Sequence, residues 1–278
     1  MSEPVSFVRV TREDRPRVSV ACERRGSGEP LVLLHGIGHH RQAWAPVMDA
    51  LAASHEVIAL DLPGFGESPA LPAGLRHGPE TLASVLADVF AELDLDRPHL
   101  AGNSLGGLIA LHLGRAGLAR SVTALSPAGF WTEGERRWAF AVLRAMRAGA
   151  EALPDGAVRR LARTPAGRAA LTGTIYARPG RRSPEAVVAE TRALRGAPDF
   201  ARTLAAGRGG DGLFRSDLAK IPVTIAWGTR DVLLPRRQGV RAKHVMPGAR
   251  LVRLPGCGHV PMSDDPARVA RVIADTAR

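Results

Sequence analysis

In the stretch "GNSLGG", Gly102 to Gly107, a serine lies two residues from a glycine on each side. An apolar run, "HLAG", leads into it, and a run with helical spacing, Leu105 to Arg115, leads out. This placement predicts a sharp strand-to-helix turn that holds Ser104 in a strained, exposed position above a sheet. Side chains at 102 and 106 would collide there, which is the mechanical reason for Gly102 and Gly106. Such a hydroxyl is a candidate nucleophile once a base takes its proton and a third group orients that base. The competing reading is a Gly-rich loop whose serine caps the helix or holds a phosphate.

The chain has nine histidines from which to choose the base. His99 lies within the run before the serine and His112 two helical turns beyond it, so neither can fold back onto Ser104. His55, His77 and His244 read as polar loop or helix-end residues. His259, in "LPGCGHVPMSDDP", directly follows the last apolar run, and Asp231, in "WGTRDVLLP", directly follows the run before that. Both positions fall at the carboxyl edge of a sheet. Asp264 and Asp265 are expected to begin the last helix near its positive end. Asp61 is expected to hold the "DLPGFGES" turn, and Glu133 is a less well placed alternative acid.

The helix beginning at Leu105 points free N–H groups at the serine, where an oxyanion would gather charge. The second donor is expected from "HGIG", His35 to Gly38, which ends the first buried run. The hole is therefore assigned to the Ile37 and Leu105 N–H groups. His35, Gly36, Asn103 and Val260 are candidate pocket residues. Phe130, Trp131 and Trp138 are candidates for an apolar acyl wall, and with Phe140 they also fit the core of a helical segment. No metal is expected, because His35 and His39 have no cysteine or carboxylate partner nearby.

The elements that must position these groups follow from the apolar pattern. Val5–Val10 and Arg17–Glu23, joined by the polar "TREDRP", suggest an antiparallel pair at a sheet edge. "PLVLLHG", "EVIALD", "HLAG", "SVTALS" and "IPVTIAWG" are continuous apolar runs that suit strands buried on both faces, with "ARLVRLPG" as the last run. Helical spacing separates them, over 42–53, 82–93, 105–115 and finally 266–277. Alternating strands and helices imply a mostly parallel sheet covered on both sides. Residues from about 129 to 215 break the alternation with Arg- and Ala-rich helical segments. They are expected to form a helical cap, 131–215, over the carboxyl edge where open α/β sheets bind ligands. The core would then be 1–130 and 216–278, with Gly129 and Gly210–Gly212 as hinge candidates.

The net charge of +11 invites a nucleic-acid reading, but only two of the 38 basic residues are Lys. Residues 131–215 carry sixteen arginines against eight acids, scattered rather than set beside aromatic rings. This pattern fits a solvated face, and no nucleic-acid partner is expected. The first residues lack the apolar core of a signal peptide and no run approaches a membrane span. A cytoplasmic protein without stable membrane association, acting on a small apolar acyl compound, is therefore expected.

The motifs "HGIG" with Trp44 a few residues on, "DLPGFGES", "GNSLGG", "GTRDVLLP" and "GCGHVPMSDDP" together resemble the α/β-hydrolase family, in the family's order. The resemblance covers residues 30–130 and 220–278. It implies an eight-stranded, mostly parallel sheet with a helical cap after the sixth strand, no cofactor, and Ser104, Asp231 and His259 as triad. It implies a serine hydrolase of esters working through an acyl-enzyme. "GNSLGG" is also similar to the elbow of hydrolases that cleave carbon–carbon bonds in dienoic acids, which would need a cap arginine such as Arg136, Arg137 or Arg144 for the carboxylate. Cofactor-free perhydrolases share the triad, and a non-catalytic ligand-binding protein on the same fold is the remaining alternative.

Overall fold

The computed structural model describes residues 5–12, 15–209, 212–218 and 220–278. Its sheet has eight strands: β1 Ser6–Arg12, β2 Arg15–Arg25, β3 Glu29–Leu34, β4 His55–Leu60, β5 His99–Asn103, β6 Ser121–Leu125, β7 Val223–Gly228 and β8 Arg250–Leu254. They lie side by side in the order β1-β2-β4-β3-β5-β6-β7-β8. β2 runs antiparallel to both its neighbours, and every pairing from β4 to β8 is parallel. The expected edge pair is β1–β2; Glu13 and Asp14 in its turn lie outside the described residues, as do Gly210 and Asp211 of the second hinge candidate.

The continuous apolar runs become strands because a central parallel strand must be apolar on both faces. Alternation within β3 sends Val32 and Leu34 to one core and Leu31 and Leu33 to the other. The first core is closed by α2 (Pro79–Glu92) and α3 (Leu105–Arg115). The second is closed by α1 (Ala45–Ala52) and by α11 (Pro266–Thr276), through Met48, Leu51, Val269 and Ile273. Each fully buried Leu or Ile contributes about 1.5–3 kcal/mol. The stretch expected as one helix from 42 divides into a 3-10 turn, Arg41–Trp44, and α1, because Pro46 fits only the first turn of an α-helix.

Between β6 and β7 the described residues form five α-helices: α4 Glu133–Ala152, α5 Asp155–Ala162, α6 Pro165–Thr172, α7 Pro184–Gly196 and α8 Phe200–Ala206. This insertion follows the sixth strand. α4 opens with a capping box, in which Thr132 accepts from the Glu135 N–H and the Glu135 carboxylate accepts from the Thr132 N–H. The same carboxylate is bonded to Arg237 and Arg241 on α9 (Arg237–Val245) and so clasps the insertion to the core. No helix is long and apolar enough to cross a membrane among the described residues.

Two acids after the last strand have different duties. Asp265 accepts from the Arg268 N–H at 3.2 Å and caps α11 as expected. Asp264 does not begin that helix. It ends α10 (Pro261–Asp264) and its carboxylate takes three backbone N–H groups, from Ala177 at 3.0 Å, Arg178 at 2.9 Å and Gly258 at 2.8 Å. Asp61 holds its turn by accepting from the N–H groups of Arg41 (2.6 Å) and Glu67 (2.9 Å) and pairing with the Arg41 guanidinium.

Candidate active site

The strand order reverses between β3 and β5, so the loops leaving their carboxyl ends diverge and open a crevice. Ser104 stands at that point with φ 54° and ψ −113°, a left-handed conformation that costs a non-glycine residue on the order of 1–3 kcal/mol. Its neighbours hold it there. The Ser104 N–H donates to Leu125 O at 3.0 Å, and its carbonyl accepts from Leu108 and Ala128. A Cβ at Gly102 would lie 2.2 Å from Gly106 O, and one at Gly106 would lie 2.1 Å from Leu34 O. Backbone cannot yield to such contacts, so both glycines are steric necessities of the turn.

The loops that follow β7 and β8 meet beside the serine. Gly228 ends β7, where a Cβ would lie 2.1 Å from Gly258 O, and the Arg230 N–H donates to Cys257 O at 2.9 Å. His259 Nδ1 is 2.9 Å from Asp231 Oδ2, and both residues are buried. Asp231 Oδ1 accepts from the N–H groups of Leu233 (3.0 Å) and Leu234 (2.8 Å), which fixes the carboxylate plane. A carboxylate facing Nδ1 requires the proton on that nitrogen, leaving Nε2 with its lone pair as the basic site. Asn103 Nδ2 donates to His259 O at 2.9 Å and to Leu125 O at 3.0 Å, and so ties the histidine loop to the elbow.

Ser104 and His259 line one cavity of about 730 Å³. Their side chains are not hydrogen-bonded to each other among the described residues. Contacts of this kind tighten when a substrate is held. Gly36 and His39 form a turn closed by the His39 N–H on Gly36 O at 3.2 Å, with Gly38 at φ 71°. That arrangement leaves the Ile37 N–H without an acceptor. Leu105, as the first residue of α3, has a free N–H by helix geometry, and neither group finds a protein acceptor among the described residues. A second, apolar pocket of about 60 Å³ adjoins Ser104 and is lined by Leu105, Trp131, Phe140 and Leu204.

Of the candidate pocket residues, Gly36, Asn103, Trp138 and Val260 line the large cavity, and Trp131 lines the small one. Trp138 is 55% exposed and donates from Nε1 to Val232 O. Two expectations are corrected. His35 is fully buried and lines neither cavity; its Nε2 accepts from the Leu62 N–H at 2.9 Å while Nδ1 donates to Gly36 O at 2.7 Å. It braces the loop, because burial in that position leaves it no open nitrogen. Phe130 packs against Phe214 in the core and also lines neither cavity. The remaining wall comes from side chains that sequence spacing does not single out, chiefly Val142, Met146, Leu171, Ile175, Glu190 and Leu194. No arginine or lysine lines the cavity among the described residues.

Comparison with known proteins agrees with this architecture. An uncharacterised protein of Mycobacterium tuberculosis is 29% identical over 263 residues, covering 89% of this chain and 75% of the relative. The pimeloyl-[acyl-carrier protein] methyl ester esterase of Aeromonas salmonicida is 43% identical over 96 residues, 34% of this chain and 36% of that protein. The 2-hydroxy-6-oxo-2,4-heptadienoate hydrolase of Pseudomonas putida is 43% identical over 89 residues, 31% of this chain and 32% of that protein. An esterase from a Rhodococcus species superposes with a TM-score of 0.74 at 25% identity, covering 99% of this chain and 98% of that one. Residues 31–272 match the family described as the alpha/beta hydrolase family, and with that span the chain belongs to it.

Proposed function

We propose that this alpha/beta hydrolase is a serine esterase that works through an acyl-enzyme, with Ser104 as nucleophile, His259 as base and Asp231 as its orienting acid. His259 Nε2 takes the Ser104 proton as Oγ attacks the ester carbonyl. Asp231 keeps the tautomer and stabilises the imidazolium that forms. The Ile37 and Leu105 N–H groups receive the oxyanion, each worth about 3 kcal/mol in the transition state. The imidazolium protonates the departing alcohol, and a water molecule then repeats the sequence on the acyl-enzyme. Helices α4 to α7 serve as the cap, supplying the apolar wall against which the acyl chain or alcohol is held.

The observation that carries this reading is a strained serine sharing an apolar cavity with a histidine whose Nδ1 is bonded to a buried carboxylate. The name of the Aeromonas relative lends it support. The name of the Pseudomonas relative favours the carbon–carbon alternative. That reaction would need a cation at the dienoate carboxylate, and none of the arginines expected to supply one lines the cavity. Arg136 donates to Arg208 O and Arg137 pairs with Glu133, while Arg144 does not line the cavity. A neutral ester fits a cavity without a cation better.

The test is a panel of short- to long-chain p-nitrophenyl esters and dienoic acids, assayed with wild type and Ser104→Ala. Ester turnover in wild type and a loss of roughly a thousandfold or more in the variant is expected. Substantial activity in the alanine variant would refute the mechanism, and turnover of dienoic acids alone would transfer it to carbon–carbon cleavage.

A further inference from the structure

One part of the cavity wall carries chemistry that ester hydrolysis does not use. Glu190 on α7 is more than nine-tenths buried, yet it lines the cavity. Its donors all converge on one oxygen. Tyr176 donates its hydroxyl proton to Oε1 at 2.8 Å, and the Arg182 guanidinium is bonded to that same atom. Arg182 also lies 3.8 Å over the Tyr176 ring and is held from behind by Ser263. His39 Nε2 is 3.1 Å from the Tyr176 oxygen. Since Tyr176 has given its proton to Glu190, His39 is the donor in that bond. Oε2 of Glu190 has no partner among the described residues.

A buried carboxylate kept only for architecture spreads its donors over both oxygens, because an unmet buried acceptor costs about 1–3 kcal/mol. Two threonine hydroxyls on the same cavity wall are committed elsewhere, Thr191 to Val187 O and Thr172 to Arg168 O. We propose that Glu190 Oε2 is a binding subsite for a hydrogen-bond-donating group, a hydroxyl or amide N–H, carried by the ester that fills this cavity. The inference rests on the esterase reading and adds a specificity determinant to it. The partner is a neutral donor rather than an ammonium, since Arg182 already balances the charge. A site that must satisfy a buried polar atom rejects a bare alkyl analogue far more strongly than an apolar site rejects an added hydroxyl.

The test compares straight-chain p-nitrophenyl esters of graded length, each paired with its ω-hydroxy and its terminal-amide counterpart, by kcat/KM at about pH 8.5. That lies above the value of about 7 to which burial lifts the Glu190 carboxyl, so that Oε2 is an acceptor. In wild type, at one chain length, a donor-bearing ester exceeds its alkyl partner by about tenfold or more, as one hydrogen bond to a charged group warrants. Glu190→Gln removes that advantage. Arg182 and Tyr176 demand the amide oxygen at the Oε1 position, which turns the amide NH2 to where the open acceptor was. A wild type with no such preference at any length overturns the proposal, with or without a folded variant. So does a Glu190→Gln protein that melts normally and keeps the wild-type ratio. If no ester in the panel is turned over at all, the esterase reading fails first and this inference falls with it.

Discussion

Asn103 Nδ2 donates to the carbonyl of His259 at 2.9 Å, so the residue preceding the strained serine holds the loop that carries the histidine. Strand-end loops are the most mobile parts of such folds, and this bond sets the position of one catalytic candidate by reference to another. Asn103→Ala leaves the His259 carbonyl unmet, while Leu125 O keeps the Ser104 N–H. A loss of about 1–3 kcal/mol in unfolding free energy is expected, by chemical denaturation. A fall of roughly tenfold or more in kcat for ester substrates should accompany it. Stability lost without any change in kcat would mean the bond is structural only.

Asp231→Asn separates charge from shape. Two backbone N–H groups need an acceptor at Oδ1, so the amide NH2 must face His259 Nδ1. A donor there forces the proton onto Nε2 and removes the lone pair that would accept from Ser104. The kcat should fall by about 10⁴ at neutral pH while the melting temperature changes little. Retention of a tenth of wild-type activity would show that Asp231 does not orient the base.

The glycines make a steric prediction that needs no substrate. Gly106→Ala places a Cβ 2.1 Å from Leu34 O and should give insoluble or unfolded protein. Gly134→Ala, on the exposed first turn of α4, meets nothing within 4 Å and should be neutral or stabilising by about 0.5 kcal/mol. Circular dichroism of the two purified variants checks both halves. A normally folded Gly106→Ala would mean that the elbow is not as tight as described.

Stability should depend on pH through buried groups outside the triad. Burial pushes the pKa of His35 down to about 4 from an ordinary 6.5, moves His112 down to about 4, and moves His39 down as well. Below 6.5 the unfolded chain binds protons that the folded protein refuses, so their contribution is complete above that value and drains away toward pH 4. Fully buried His35 alone accounts for about 3 kcal/mol. Glu190 works the other way. Burial lifts it from 4.5 to about 7, so its contribution is present below 4.5 and lost as pH rises through 7. Denaturation across this range should show stability rising with pH, and rising more steeply in Glu190→Gln. A shallower profile in that variant would contradict the assignment.

The elbow was legible in the sequence because its constraints are local: Gly102, Ser104 and Gly106 collide or fit within a few residues of one another. The strand runs were legible because a strand buried on both faces is apolar throughout. Asp231 could be singled out because it directly follows such a run, and His259 because it follows the last apolar run, which is the largely exposed edge strand β8. His35 misled because a histidine between a buried strand and a glycine turn looks solvent-facing, and only the Leu62 N–H, folded in from another loop, occupies it. Phe130 misled because local spacing does not say where a residue packs: it lies in the loop before α4 and rests against Phe214 from beyond α8. The Glu190, Tyr176 and Arg182 cluster was illegible for the same reason. Its members lie on separate turns of the insertion and meet His39 of the core only through packing.

Asp264 accepts from two N–H groups of the insertion although it lies far beyond it in the chain, and Arg237 and Arg241 do the reverse for Glu135. A chimera in which residues 133–206 were exchanged for those of another family member would gain a new binding chamber. It would also strip two guanidiniums of their shared carboxylate, and it would leave a buried acid bonded only to Gly258 unless the incoming piece offered amides at the same spot. Grafting success should therefore be decided at positions 237, 241 and 264, none of which belongs to the transplanted fragment.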